Sequence, residues 1–325
     1  MKQDSTEQFS KWILAALTVA LLAVLALIQY SPQDTVKIDL AQRDIATEQI
    51  LMRPEMNSQA LRFGFDLRGS PEEDARQYLP FLRYLEIETG LEFSLNFTAQ
   101  SNDIIEELGT GKIHFAAIGA GAYLLAQSRY GISLVARGLN AQGRPECQSV
   151  IVVSPDSRIQ DIEDLRGKRF AFGGESSTLG HLIPRIALAE HGLALDDLKE
   201  YAYTGSHQKC INVVASGQFD AGGLQKLLAG RVETQGLVRT IFTSEFYPSG
   251  GIVANQDVSP EIVRKVQQAL IDFQPNGVHA KGLYHWERTE MAGGFDKANV
   301  EDYDNLRHWS IRLGLLDTTP EGVEQ

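Results

Sequence analysis

The chain has 325 residues, 43% of them hydrophobic and 22% charged, with a formal net charge of −12. That length buries a sizeable core and fits one two-lobed unit or two domains, and the composition excludes a disordered chain. The acidic balance argues against nucleic acid as a partner, yet leaves room for a small anion held by local amides and hydroxyls.

In chain order, Trp12 to Ile28 is apolar except for Thr18, and Lys2 and Lys11 precede it. A run this short lies at the lower limit for a membrane span, so a cleaved signal sequence and a secreted form are the competing reading. Leu27 to Tyr30 has no small-x-small cleavage site, and no cysteine follows directly for lipidation. An uncleaved inner-membrane anchor at 12–30 is therefore expected. The charge bias puts residues 1–11 in the cytoplasm and the rest of the chain in the periplasm. Residues 31–59, with Pro32, Pro54 and many charges, read as a stalk with a short helix near 39–52.

Alternation begins at Leu61. Residues 61–65 read as a strand, 71–88 as a helix, 91–97 as a strand and 102–108 as a short helix. Residues 113–118 form a strand ending in Gly119-Ala-Gly121, before a helix through Tyr123 and Leu125, and 132–136 is the next strand. Strands follow at 149–153 and 169–172, then a helix to about His191 and a turn at Gly205-Ser206-His207. A helix to Ser216 and strands at 219–221, 237–243 and 251–254 come next. Ser259 and Pro260 open a helix to about Phe273, and 299–313 reads as a closing helix. Strands alternating with helices mean βαβ units and a largely parallel sheet. There is no internal repeat and no low-complexity tract.

The chemistry concentrates where strand 169–172 passes through Gly173 and Gly174 into Ser176, Ser177 and Thr178. Leu179, Leu182, Ile183, Ile186 and Leu188 then recur at helical spacing. Hydroxyl residues at such a junction are N-caps, and the first-turn amides lack partners of their own. Amides, hydroxyls and the positive end of the helix dipole together suit a tetrahedral anion. A plain N-cap is the alternative, and three consecutive hydroxyls after two glycines favour a ligand site. The lysine of a Walker loop is missing, as is the Gly-x-Ser-x-Gly of a nucleophile elbow. Gly205-Ser206-His207 offers a second helix start of the same kind.

Phe172-Gly-x-x-Ser-Ser-Thr-x-Gly-His-Leu-x-Pro184, Tyr203-Thr-Gly-Ser-His207 and Gly217-Gln-Phe-Asp-Ala-Gly-Gly223, in that order, resemble the PhnD-like solute-binding proteins. The similarity spans about residues 60–275, and that family serves phosphate, phosphite and phosphonate uptake. The resemblance implies an α/β, two-lobed periplasmic binding protein of type II-like fold. Lobe two (148–246) would be inserted into lobe one (60–147 and 247–315), with residues 316–325 as a tail. A small oxyanion would sit in the interlobe cleft, and hinge closure would trap it. The partner would be an ABC transporter permease or a sensor kinase. No catalysis, cofactor or metal is implied. The implied ligand contacts are Ser176, Ser177, Thr178, Ser206 and His207, with Tyr123 either closing the cleft from lobe one or standing as a partly buried core tyrosine. Cys147 stands where the family commonly carries a cleft-side tyrosine.

Other departures and alternatives bear on the ligand. Leu179 replaces a hydroxyl that the family often has. Gly222 to Leu228 and Tyr247 to Gly251, where aminophosphonate binders hold the amine, carry no acid, which argues against an aminoalkyl phosphonate. A Ser177, His207 and Asp220 triad would make a hydrolase, but the capping cluster has no elbow and Asp220 is expected to order loop amides instead. His181 is either a ligand contact or a structural histidine. Cys147 and Cys210 could both face the cleft: as a disulfide, as inert thiols, or as a soft-ligand site like that of arsenite-sensing proteins resembling this family.

Overall fold

A computed structural model of the chain describes residues 60–66, 71–98 and 103–317. The anchor expected at 12–30, the stalk at 31–59 and most of the tail lie outside the described residues. Among the described residues, no helix is long and apolar enough to cross a membrane.

β1 (Leu61–Asp66), α1 (Pro71–Thr89), β2 (Phe93–Thr98), α2 (Ile104–Gly109), β3 (Phe115–Ile118), α3 (Ala120–Tyr130) and β4 (Ser133–Leu139) alternate as the apolar spacing requires. The two-residue strand β5 (Glu146–Cys147) leads to β6 (Ser149–Val153) and β7 (Arg169–Phe172). A π turn, Thr178–Leu182, then enters α4 (Ile183–Glu190). After β8 (Glu200–Tyr203) come α5 (His207–Ala215), β9 (Ala221–Gln225), α6 (Lys226–Thr234) and β10 (Arg239–Thr243). β11 (Tyr247–Pro248) returns the chain to β12 (Gly251–Ala254), α7 (Pro260–Asp272), β13 (Gly294–Lys297) and α8 (Asp304–Arg312).

Two sheets result. The first is ordered β13-β4-β12-β3-β1-β2, with β1 parallel to both its neighbours and β12 antiparallel between β3 and β4. The second is ordered β10-β6-β9-β7-β8, with β7 parallel to β8 and β9. Its strands fall between β4 and β12 in the chain, so one α/β lobe is threaded out of and back into the other. The two crossings pair with each other as β5 and β11, with Tyr247 opposite Cys147.

The cores follow from side-chain periodicity. Phe63 and Phe65, two apart on β1, face the same side and stack at 4.9 Å; Phe65 stacks in turn on Tyr78 of α1 at 4.0 Å. Phe81, Phe273 and Trp286 complete that core. β6 is buried along its whole length, as expected of an apolar run covered on both faces. A further cluster crosses between the lobes: Leu179, Leu182, Ile183 and Ile186 pack with Tyr123, Leu124, Tyr303 and Leu306. Each such side chain contributes roughly 1.5–3 kcal/mol when taken out of water.

Some elements differ from the sequence reading. The strand expected at 219–221 starts at Ala221 and runs on to Gln225. Glycine is required there, because a Cβ on Gly222 would lie 2.6 Å from Cys210 Sγ. β8 escaped notice because three of its four residues are exposed at a sheet edge. β13, a four-residue edge strand, lies in a stretch without periodicity. The closing helix is a 3₁₀ turn, Val300–Tyr303, followed by the shorter α8.

Candidate functional site

The loop between β7 and the π turn is fixed by its own backbone. Gly173 N–H donates to Gly180 O at 2.8 Å, and a Cβ on Gly180 would lie 2.9 Å from Gly173 Cα. Only glycines allow strand and helix start to approach this closely. Ser177 caps the turn, its Oγ accepting from Gly180 N at 3.0 Å. Leu182 N–H donates five residues back to Ser177 O at 2.9 Å, which widens the first turn into a π turn, a feature frequent at functional sites.

Thr178 makes the connection to the other lobe. It is buried, and its Oγ1 accepts from Gly121 N at 2.8 Å. Gly121 lies in the first turn of α3, whose N-cap, Gly119, offers no capping side chain. A Cβ on Gly119 would lie 2.6 Å from Thr178 Oγ1. Two helix starts thus meet face to face, each with first-turn amides that have no carbonyl within their own helix.

A third helix start lies beside them. Thr204 N–H and Oγ1–H both donate to Phe172 O, and Gly205 N–H donates to Gly173 O at 3.1 Å. These bonds lay the β8–α5 turn along the β7 loop. Ser206 caps α5, accepting from Lys209 N at 3.3 Å, and His207 is the first helical residue. A cavity of about 1050 Å³ runs between the lobes, lined by Gly121, Ser176, Ser177, Thr178, Ser206 and His207 among others.

Tyr123 and Cys147 are absent from that lining. Tyr123 is buried against Tyr303, ring centroids 5.2 Å apart, and its hydroxyl has no hydrogen-bond partner among the described residues. Burial raises its pKa. Cys147 lies in the crossing pair with its Sγ donating to Pro248 O at 3.6 Å, and burial, with Glu290 and Glu146 nearby, pushes its thiol far up. Cys210 does not face the cleft. It is fully buried in the second lobe, donating to Ala171 O at 3.4 Å, and burial pushes its thiol up to about 12. Both cysteines are free. Asp220 is held by Arg169: Oδ2 accepts from Arg169 N at 2.8 Å and Oδ1 from Nη2 at 2.8 Å, and this pairing lowers its pKa. The amide it holds is at the start of strand β7, not in a loop as expected.

The sequence reading missed the amide of Gly121 and one whole side of the cavity. Tyr284, Arg288 and Glu290 reach the lining from the segment around Trp286, which is anchored by Trp286 Nε1–H donating to Met291 O at 2.9 Å. Acids do therefore line the cavity, Glu290 and Glu175 among them, from segments outside the two in which none was found. No periodicity marked that segment. Among the described residues, no group of three or more His, Cys, Asp or Glu side chains is placed to hold a metal ion.

The model of the phosphonate periplasmic substrate-binding proteins of ABC transporters matches residues 63–303. The phosphonates-binding periplasmic protein of Escherichia coli is 27% identical over 229 residues, 67% of this chain and 68% of that one. The phosphate-import protein PhnD of Mycolicibacterium smegmatis is 24% identical over 316 residues, 90% of this chain and 93% of that one. Among solved structures, PhnD1 of Prochlorococcus marinus in complex with methylphosphonate superposes with a TM-score of 0.69 at 20% identity. It covers 79% of this chain and 99% of that one.

Proposed function

This chain belongs to the phosphonate periplasmic substrate-binding proteins of ABC transporters, and from that premise we propose how it holds its ligand. A small phosphorus oxyanion, of the phosphate, phosphite or phosphonate kind, sits between the starts of α3 and of the π turn. The observation that carries this reading is the pairing of those two helix starts through Thr178 Oγ1 and Gly121 N. The bond leaves the Thr178 O–H proton for the anion, because the oxygen acts as acceptor toward Gly121. Ser176, Ser206 and His207 supply further donors from the cavity wall. The Tyr123 hydroxyl, buried outside the cavity lining, is not part of this donor set. Positive dipole ends make the site anion-selective although the chain as a whole is acidic.

The lobes, 60–147 with 247–315 and 148–246, close on the ligand about the β5–β11 crossing. Trp12 to Ile28 anchors the protein in the inner membrane with its lobes in the periplasm. The occupied form is read by a transporter permease, or by a sensor kinase in its place. Fractionation tests the anchor: a soluble chain beginning near residue 31 would exclude it. Two rivals fit the geometry less well. A hydrolase needs an acid to orient the histidine base of its serine, and Asp220 is committed to Arg169. A thiol-based sensor needs accessible thiolates, and burial holds both thiols protonated. A thermal-shift screen across phosphate, phosphite, methylphosphonate, sulfate and arsenite tests the reading, since a ligand specific for the folded state raises its stability. Stabilisation by a phosphorus anion is expected, and stabilisation by arsenite alone contradicts it.

A further inference from the structure

His181 lies in the same motif as the proposed anion donors, yet its bonds run behind them. It is 1% exposed, its ring packed edge-on to Phe172 at 5.0 Å and to Tyr203 at 4.8 Å. Nδ1 lies 2.5 Å from Glu175 O, and Nε2 lies 3.2 Å from Tyr203 Oη. A carbonyl only accepts, so Nδ1 carries the proton. Nε2 is then the acceptor, and Tyr203 donates to it. Burial, with Arg185 nearby, lowers the imidazole pKa to about 4, so this neutral tautomer is the form present at neutral pH.

The Glu175 carbonyl and the Ser176 N–H belong to one trans peptide plane and point in opposite directions. A carbonyl drawn inward to His181 therefore turns the Ser176 amide outward, away from the interior of the second lobe. Free rotation of that peptide would present the carbonyl oxygen instead, which repels an anion. We infer that His181 is the positioning residue of the anion loop: its Nδ1–H fixes the Glu175–Ser176 peptide so that an amide, not a carbonyl, faces the ligand. Tyr203 locks the tautomer from behind. The inference rests on the anion reading for its effect on affinity, and on the bond geometry alone for the rest.

The test uses the purified full chain and variants that differ in which ring nitrogen they imitate. His181→Asn places an N–H where Nδ1 stood, and His181→Gln places its amide where Nε2 stood. Calorimetry with phosphate, phosphite and methylphosphonate is expected to keep His181→Asn within about threefold of wild type. His181→Gln should weaken binding about tenfold, the worth of one hydrogen bond to a charged group. Tyr203→Phe, at a side chain on a residue 38% exposed, leaves folding intact and should fall between them. Melting temperatures of the Asn and Gln variants serve as the control, because loss of packing alone would lower both affinities together. Equal losses in the two, or none in either, overturns the inference. Imidazole ¹⁵N spectra of the ligand-free wild type give a second reading, in which Nδ1–H is expected and an Nε2–H tautomer overturns it. Should wild type bind none of the three anions, the anion reading fails, while the spectra still decide the His181 geometry.

Discussion

Thr178 Oγ1 and Gly121 N, 57 residues apart in the chain, join the two lobes through one hydrogen bond of 2.8 Å. The bond lies where a helix start of each lobe meets the other, so closure and ligand capture share the Thr178 hydroxyl. Replacing Thr178 by Val keeps the shape and removes the hydroxyl. Anion affinity is expected to fall at least about tenfold, from one charge-assisted bond of roughly 1.5–3 kcal/mol. Titration calorimetry measures it, and an unchanged affinity would place the site elsewhere.

Ser177 is expected to behave differently from its neighbour, because its hydroxyl caps Gly180 N. Ser177→Ala should cost about 0.5–2 kcal/mol of stability, the usual worth of an N-cap, with a smaller effect on binding than Thr178→Val. Urea unfolding and calorimetry on the two variants separate the roles. Greater loss of affinity in Ser177→Ala than in Thr178→Val would reverse the assignment.

Much of this was legible in the motif because capping chemistry is local: hydroxyls, glycines and the helical run lie within a dozen residues of one another. What lay beyond local reach was not. Gly121 carries no side chain to announce that its amide meets Thr178. Cys210 sits one turn from His207, but its position on α5 turns it into the second lobe, where the missing Cβ of Gly222 leaves room for its sulfur. Tyr284, Arg288 and Glu290 come from an irregular segment around the buried Trp286, so neither period nor motif pointed to the cavity.

Gly119→Ala probes closure without removing a donor. The added Cβ would lie 2.6 Å from Thr178 Oγ1 and 3.5 Å from Thr178 Cβ, so Thr178 must give way. The lobes are expected to fold as before but stop short of full closure. Small-angle scattering should show a larger radius of gyration in the presence of anion, and affinity should drop. A variant as compact and as tight-binding as wild type would show that closure does not pass through this contact.

His181 also makes a pH signature. Its pKa of about 4 in the folded chain lies below the ordinary value of 6.5. Between those values the unfolded chain holds a proton that the folded chain does not, so stability rises with pH there. The contribution is fully present above about pH 6.5 and is lost as pH falls toward 4, on the order of 3 kcal/mol in all. Chemical unfolding at a series of pH values should show this slope in wild type and a shallower one in His181→Asn. Parallel slopes would mean that the imidazole titrates normally.

Neither thiol is expected to matter for the phosphorus anions. Cys210→Ser and Cys147→Ser should leave affinity within about threefold, less than the 1.4 kcal/mol of a tenfold change. Alkylation of the folded chain should be slow at neutral pH, because burial suppresses both thiolates. Rapid labelling accompanied by loss of binding would restore the thiol-based reading.

The central claim is that one phosphorus oxyanion sits between the start of α3 and the π turn. Calorimetry of the full chain settles it most directly, with phosphate, phosphite, methylphosphonate and arsenite titrated side by side into wild type and Thr178→Val. The expected result is saturable binding of one or more of the phosphorus anions by wild type, weakened at least about tenfold in the variant. No heat from any phosphorus anion, or arsenite binding that Thr178→Val leaves intact, would contradict it.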